Sequence, residues 1–124
     1  MSLDGKVCII TGGGSGIGRS TATMMAKAGA KVVLVGRTAS KVEDVQKEIE
    51  SSGGTATAAS FDVADKEAGL QLVKDVLAEF GQVDMLINNA GHSSKHRMLL
   101  STTQEELRSV MDSNLNGTVF MSQA

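Results

Sequence analysis

The residues best placed to do chemistry in this chain are glycines. Thr11-Gly12-Gly13-Gly14-Ser15-Gly16-Ile17-Gly18 follows the apolar run Val7-Cys8-Ile9-Ile10 and leads into a helix-like segment. Glycine admits φ > 0 and removes the Cβ that would keep an anion away from backbone amides. A helix that starts there aims its unpaired N–H groups, and the positive end of its dipole, at the same point. Strand, glycine turn and helix in that order build a phosphate site from main chain alone. Gly12, Gly14, Ser15, Gly16, Ile17 and Gly18 are the residues that would face the anion. The plainer reading is a tight strand-to-helix connection.

Such a turn needs elements to hold it, and hydrophobic patterning supplies them. Four apolar segments alternate with four helix-like ones, as in a parallel sheet covered on both faces. The first strand is expected over Lys6–Ile10 and the first helix over Ile17–Ala28, closed by Gly29. Lys31–Val35 is a continuous β-branched run suited to a strand buried on both faces. Ala39–Ser51 places Val42, Val45 and Ile49 on one helical side, and Thr55–Phe61 is a third strand of small residues. Asp65 is placed to cap a helix whose Leu72, Val73, Val76, Leu77 and Phe80 form an apolar stripe ending at Gly81. A fourth strand is expected over Val83–Ile87. Thr103 and Glu106 have capping-box spacing for a helix running to the end of the chain, with Leu107, Val110, Met111, Leu115 and Phe120 as its stripe. Gly91–Leu99 is the one long irregular loop. Right-handed crossovers then give a Rossmann-type, doubly wound α/β half-sheet with strand order 3-2-1-4. The ligand crevice of that topology lies at the C-terminal ends of strands 1 and 4, where the glycine turn and Asn88-Asn89-Ala90-Gly91 both fall.

Composition narrows the classes. The chain has 124 residues, 41% of them hydrophobic and 21% charged, as in a soluble globular domain. A formal net charge of −2 offers no basic field for nucleic acid. Cys8 is the only cysteine and lies in an apolar strand, so a buried small hydrophobe is expected and a disulfide is not. No segment reaches the length of a membrane span, and the N-terminus lacks the apolar region of a signal peptide. The expected location is the cytoplasm, with an organelle matrix left open. No His, Cys, Asp and Glu spacing suggests a metal site.

The motifs together resemble one family, the short-chain dehydrogenases/reductases. The glycine turn is similar to that family's Thr-Gly-x-x-x-Gly-x-Gly cofactor turn, and Asn88-Asn89-Ala90-Gly91 to its Asn-Asn-Ala-Gly motif after strand 4. Asp62-Val63 resembles the pair after strand 3 that faces adenine. Asn114, in Asn-Leu-Asn-Gly, resembles the helix asparagine that supports the proton relay, a catalytic role. The resemblance implies an NAD(P)-dependent oxidoreductase that moves hydride between nicotinamide and a carbonyl or alcohol substrate. It also implies a homo-oligomer, a dimer or tetramer, when full length. Asn89, Ala90 and Gly91 join the glycine turn, Arg37, Asp62 and Val63 as the cofactor-binding set.

The residues also carry their own chemistry. Asp62 can accept from the exocyclic amine of adenine while Val63 lies against the ring; Asp62 can equally be a solvated carboxylate or a helix cap. Asn89 can bind ligand or hold strand 4 beside the glycine turn. Asn114 is mid-helix, where an amide needs a partner, and a backbone-bonded asparagine at a kink is the alternative. A site preferring NAD commonly has an acid about 20 residues past the glycines. Here Gly36-Arg37 stands instead, with no acid before Glu43. Gly36 leaves room for a 2′-phosphate, and the Arg37 guanidinium can bind it through two N–H groups, unless Arg37 is merely solvated. Ser15 stands where NADP-preferring relatives often have a second basic residue. NADP is the expected cofactor, with NAD the alternative.

One feature of the family is missing. Its proton donor is the tyrosine of a Tyr-x-x-x-Lys motif, and this chain contains no tyrosine. The resemblance places that motif beyond Ala124. The expectation is therefore a single cofactor-binding domain over 1–124, truncated before the catalytic segment and inactive alone. A naturally short, non-catalytic dinucleotide-binding protein is the alternative. His92 and His96 lie in the loop after strand 4, and imidazole could in principle replace the phenol. Neither has a carboxylate evident in the sequence to orient it.

Overall fold

Val32, Val33, Leu34 and Val35 are all buried, because their strand lies in the middle of a sheet covered on both faces. The structure is a computed structural model and describes residues 2–124. Its elements run β1 (Val7–Thr11), α1 (Gly16–Lys27), β2 (Lys31–Gly36), α2 (Ala39–Ser51), β3 (Thr55–Ser60), α3 (Lys66–Phe80) and β4 (Met85–Ile87). A 3₁₀ turn at Leu99–Ser101 precedes α4 (Gln104–Met111), a π-helical turn (Asp112–Asn116) and α5 (Gly117–Gln123). The sheet is parallel throughout, in the order β3-β2-β1-β4.

Alternation along β1 and β2 divides the core in two. Cys8, Ile10, Val32 and Leu34 point to one face, where Ala22 and Ala26 of α1 and Val42, Val45 and Ile49 of α2 cover them. Val7, Ile9, Val33 and Val35 point to the other, against Leu72 and Val76 of α3 and Met121 of α5. Each such aliphatic side chain contributes roughly 1.5–3 kcal/mol on burial. Small residues at the helix contacts let helices approach: a Cβ on Gly69 would lie 3.0 Å from the Met121 sulfur.

Three departures from the sequence pattern have local causes. β4 is shorter than Val83–Ile87 because the Asp84 carboxylate, not a strand carbonyl, accepts the Val7 amide at 2.8 Å. Leu77 is 46% exposed and lies off the buried stripe of α3, which rests on Leu72 and Val76. The final helix is not uniform. Five residues of π-helix separate α4 from α5, and Asn114 sits in the middle of them. The caps at Asp65 and Thr103 form as the spacing predicts: Asp65 accepts from the Ala68 amide, and Thr103 and Glu106 form a reciprocal capping box.

Candidate functional site

Thr11 ends β1 and binds the two motif-bearing loops together. It is a buried polar residue whose Oγ1 accepts from the amides of Asn89 and Ala90, both at 3.0 Å. Asn89 Nδ2 in turn donates to the Gly12 carbonyl at 3.2 Å. This contact dictates glycine. Gly12 has φ +66°, and a Cβ there would stand 2.7 Å from Asn89 Nδ2; a Cβ on Gly18 would also strike that amide. Asn89 therefore ties β4 to the glycine turn.

Asn114 performs the corresponding task on the other side of β4. Its Oδ1 accepts from the His92 amide at 2.9 Å and its Nδ2 donates to the His92 carbonyl at 3.0 Å. Thr118 Oγ1 donates to the Asn114 carbonyl at 3.0 Å. A Cβ on Gly91 would lie 2.9 Å from Asn114 Oδ1, so the loop and the π turn pack closely. Asn114 is thus bonded through its side chain to backbone at a helix irregularity.

Among these loops lies a cavity of about 180 Å³. The glycine turn contributes Gly12, Gly14 and Ser15, and the loop after β4 contributes Ala90, Gly91 and His92. From the end of β2 and the start of α2 come Gly36, Arg37, Thr38 and Lys41. Asp62 and Val63 enter from the end of β3, and the buried Ser113 from the π turn. Asp62 Oδ1 accepts from the Ala64 amide at 3.0 Å, which fixes the loop; Oδ2 has no hydrogen-bond partner among the described residues. Gly16, the exposed Ile17 and Gly18 sit in the first turn of α1, and none of them lines the cavity. Nor do Asn89 and Asn114, which stand behind it.

Sequence reasoning passed over Thr11, Lys41 and Ser113 as site residues. Lys41 had a signal, its place in the first turn of α2 just past Arg37. Ser113 had none, because only the π turn brings it inward.

The histidines are tied more firmly than the sequence suggested. His96 Nδ1 lies 2.9 Å from Glu106 Oε1, so a carboxylate orienter exists; α4 folds back along the loop to provide it. The Thr103 amide, followed by the His96 partner, holds the Glu106 carboxyl below its ordinary range. His92 Nε2 lies 3.1 Å from Ser109 Oγ, while its buried Nδ1 has no partner among the described residues. Both rings border a second, shallower cleft, and only His92 reaches the first cavity. Burial pushes the Cys8 thiol up to about 11, where it is inert. Among the described residues no three His, Cys, Asp or Glu side chains are gathered as metal ligands, and no helix is long and apolar enough to cross a membrane.

A parallel sheet of order 3-2-1-4 with a glycine-walled cavity at the ends of β1 and β4 defines a doubly wound α/β protein of the Rossmann type. Residues 6–124 match the short chain dehydrogenase family, and the chain belongs to it. The 3-oxoacyl-[acyl-carrier-protein] reductase FabG of Thermotoga maritima is 32% identical over 123 residues, 99% of this chain and 50% of that protein. A metagenomic short-chain oxidoreductase solved in complex with NADP superposes with TM-score 0.93 at 32% identity, covering 100% of this chain and 56% of that one. An NAD+-bound xylitol dehydrogenase superposes with TM-score 0.94 at 28% identity, covering 100% of this chain and 48% of that one. The chain spans half or less of the curated relatives it matches, from 30% of an uncharacterised oxidoreductase of Mycobacterium bovis to the 50% of FabG.

Proposed function

We propose that this chain binds a nicotinamide dinucleotide, NADP in preference to NAD, for an oxidoreductase acting on a small carbonyl or alcohol substrate. The observation that carries the reading is the convergence of Gly12, Gly14, Arg37, Asp62 and Gly91 on one cavity. The residues fit such a ligand. Gly12 and Gly14 offer backbone without side chains to a diphosphate, Val63 offers an apolar face to a base, and Arg37 supplies a cation where an NAD site has an acid. When bound, the nicotinamide supplies or takes up the hydride. The chain's own part is to bind and orient: Thr11 and Asn89 keep the glycine turn and β4 in register, and Asn114 clamps the loop at His92.

With no tyrosine in the chain, the proposal gives these residues dinucleotide binding and assigns no proton donor. The alternative reading is a dinucleotide-binding protein without catalysis. Titration with NADPH and NADH, followed through nucleotide fluorescence, tests the first step. Saturable binding with NADPH the tighter ligand is expected; no binding of either overturns the proposal. A carbonyl-reduction assay on the same sample separates the readings, since turnover excludes the second.

A further inference from the structure

Arg37 is not the only cation at its end of the cavity. Lys41 lines the same space from the first turn of α2, and Thr38 lies between them in sequence. The glycine turn packs directly on this helical turn: a Cβ on Gly14 would stand 3.0 Å from Lys41 Cβ and 3.3 Å from the Val42 amide nitrogen. The lysine stem therefore crosses beside the bare backbone of the phosphate turn. Among the described residues neither Lys41 nor Arg37 has a carboxylate within salt-bridge distance, although Glu43, Asp44, Glu48 and Glu50 share the helix. Glu48 instead pairs with Arg19 at 2.6 Å.

The helix end adds to this field. The Thr38 side chain makes no cap hydrogen bond, and the first turn of α2 holds no acidic residue. The Thr38 carbonyl takes the Lys41 and Val42 amides at 3.1 and 3.4 Å, so what this end contributes is the positive pole of the helix dipole. Two unpaired cations and the first turn of a thirteen-residue helix thus converge on one end of the cavity, beside Gly36, whose missing Cβ makes room for the Val42 side chain. A phosphate monoester carries nearly two negative charges near neutral pH, and a guanidinium with an ammonium matches it better than either alone.

We propose that Lys41 is a specificity-determining residue, which with Arg37 and the α2 N-terminus forms a two-cation clamp for the 2′-phosphate of the adenosine ribose. The inference rests on the dinucleotide reading and deepens it: selection for the phosphorylated nucleotide is shared between two side chains. Lys41 acts as a compact charge and Arg37 as a planar fork.

Calorimetric titration of the chain with adenosine 2′,5′-bisphosphate and with 5′-AMP, at low and at moderate salt, isolates the 2′-phosphate. In Lys41→Gln, the ratio of the two dissociation constants should shift about fivefold to tenfold toward 5′-AMP. Lys41→Arg should restore most of that preference. Lys47→Gln, on an exposed part of the same helix, should keep the wild-type ratio. The preference should weaken with salt in the wild type more than in Lys41→Gln. An unchanged ratio in Lys41→Gln, or an equal loss for both nucleotides, overturns the clamp while the dinucleotide reading stands. If the wild-type chain binds neither nucleotide and does not bind NADPH, the dinucleotide reading falls and the clamp with it.

Discussion

Asn114 shows how one side chain can hold a loop. Both ends of its amide are used on the backbone of His92, so Asn114→Ala removes two hydrogen bonds and leaves two main-chain groups to find water. The expected loss is about 1–3 kcal/mol. It should be local: hydrogen exchange should rise across residues 91–98 while β1 and β2 keep their protection. Uniform loss of protection across the sheet would show that Asn114 supports the whole fold. Cys8 makes the opposite case, a reactive group silenced by packing. With its thiol pushed up to about 11, it should resist iodoacetamide at pH 8 in the folded chain and react once the chain is denatured. Alkylation at equal rates in both states, followed by mass spectrometry, would contradict the burial of β1.

At the scale of elements, the edge strand β4 depends on a side chain as much as on its ladder. Asp84 accepts from the Val7 amide at 2.8 Å and from Gln82 Nε2 at 2.7 Å, with Lys6 Nζ at 3.6 Å. These contacts, the Val7 amide foremost, hold its carboxyl below the ordinary value of 3.8. A carboxyl whose pKa is lowered in the folded state stabilises the fold above its ordinary value and loses that contribution as pH falls through the folded one. Asp84→Asn should therefore be less stable than wild type at pH 7, with the difference closing below about pH 4. Urea unfolding at several pH values measures this, and a difference constant down to pH 2.5 would exclude the carboxylate as its source. The elements themselves were largely legible in the sequence. The β-branched run Val32–Val35, the cap at Asp65 and the capping box at Thr103 each rest on local chemistry. The shortening of β4 and the π turn at Asp112–Asn116 were not legible, because each depends on a partner far along the chain.

At the scale of the whole molecule, one face stands without cover. Leu107 is 56% exposed and Leu115 50% exposed, with Met111 and Val119 also open along α4, the π turn and α5. The stripe expected from the sequence is present, but within this chain its outer half meets solvent. Exposed apolar surface of this kind favours association. The chain should self-associate with rising concentration in sedimentation velocity, and Leu107→Lys with Leu115→Lys should shift it toward monomer. A single monomeric species at all concentrations would remove this face as an interface.

Strand order, the glycine turn, the Asn-Asn-Ala-Gly edge and the candidate positions Arg37, Asp62 and Asn114 were determined by sequence alone. Strand order, the glycine turn and Arg37 rest on hydrophobic patterning and short-range spacing, whereas the Asn-Asn-Ala-Gly edge, Asp62 and Asn114 rest on the resemblance to the family. The tertiary structure decided which of these residues meet the cavity and which stand behind it. Asn89 and Asn114 spend their amides on Gly12 and His92, Glu106 turns to His96, and Lys41 comes to the glycine turn. Those partners lie in different elements, and only packing α2, α4 and the π turn onto the sheet brings them within a few ångströms.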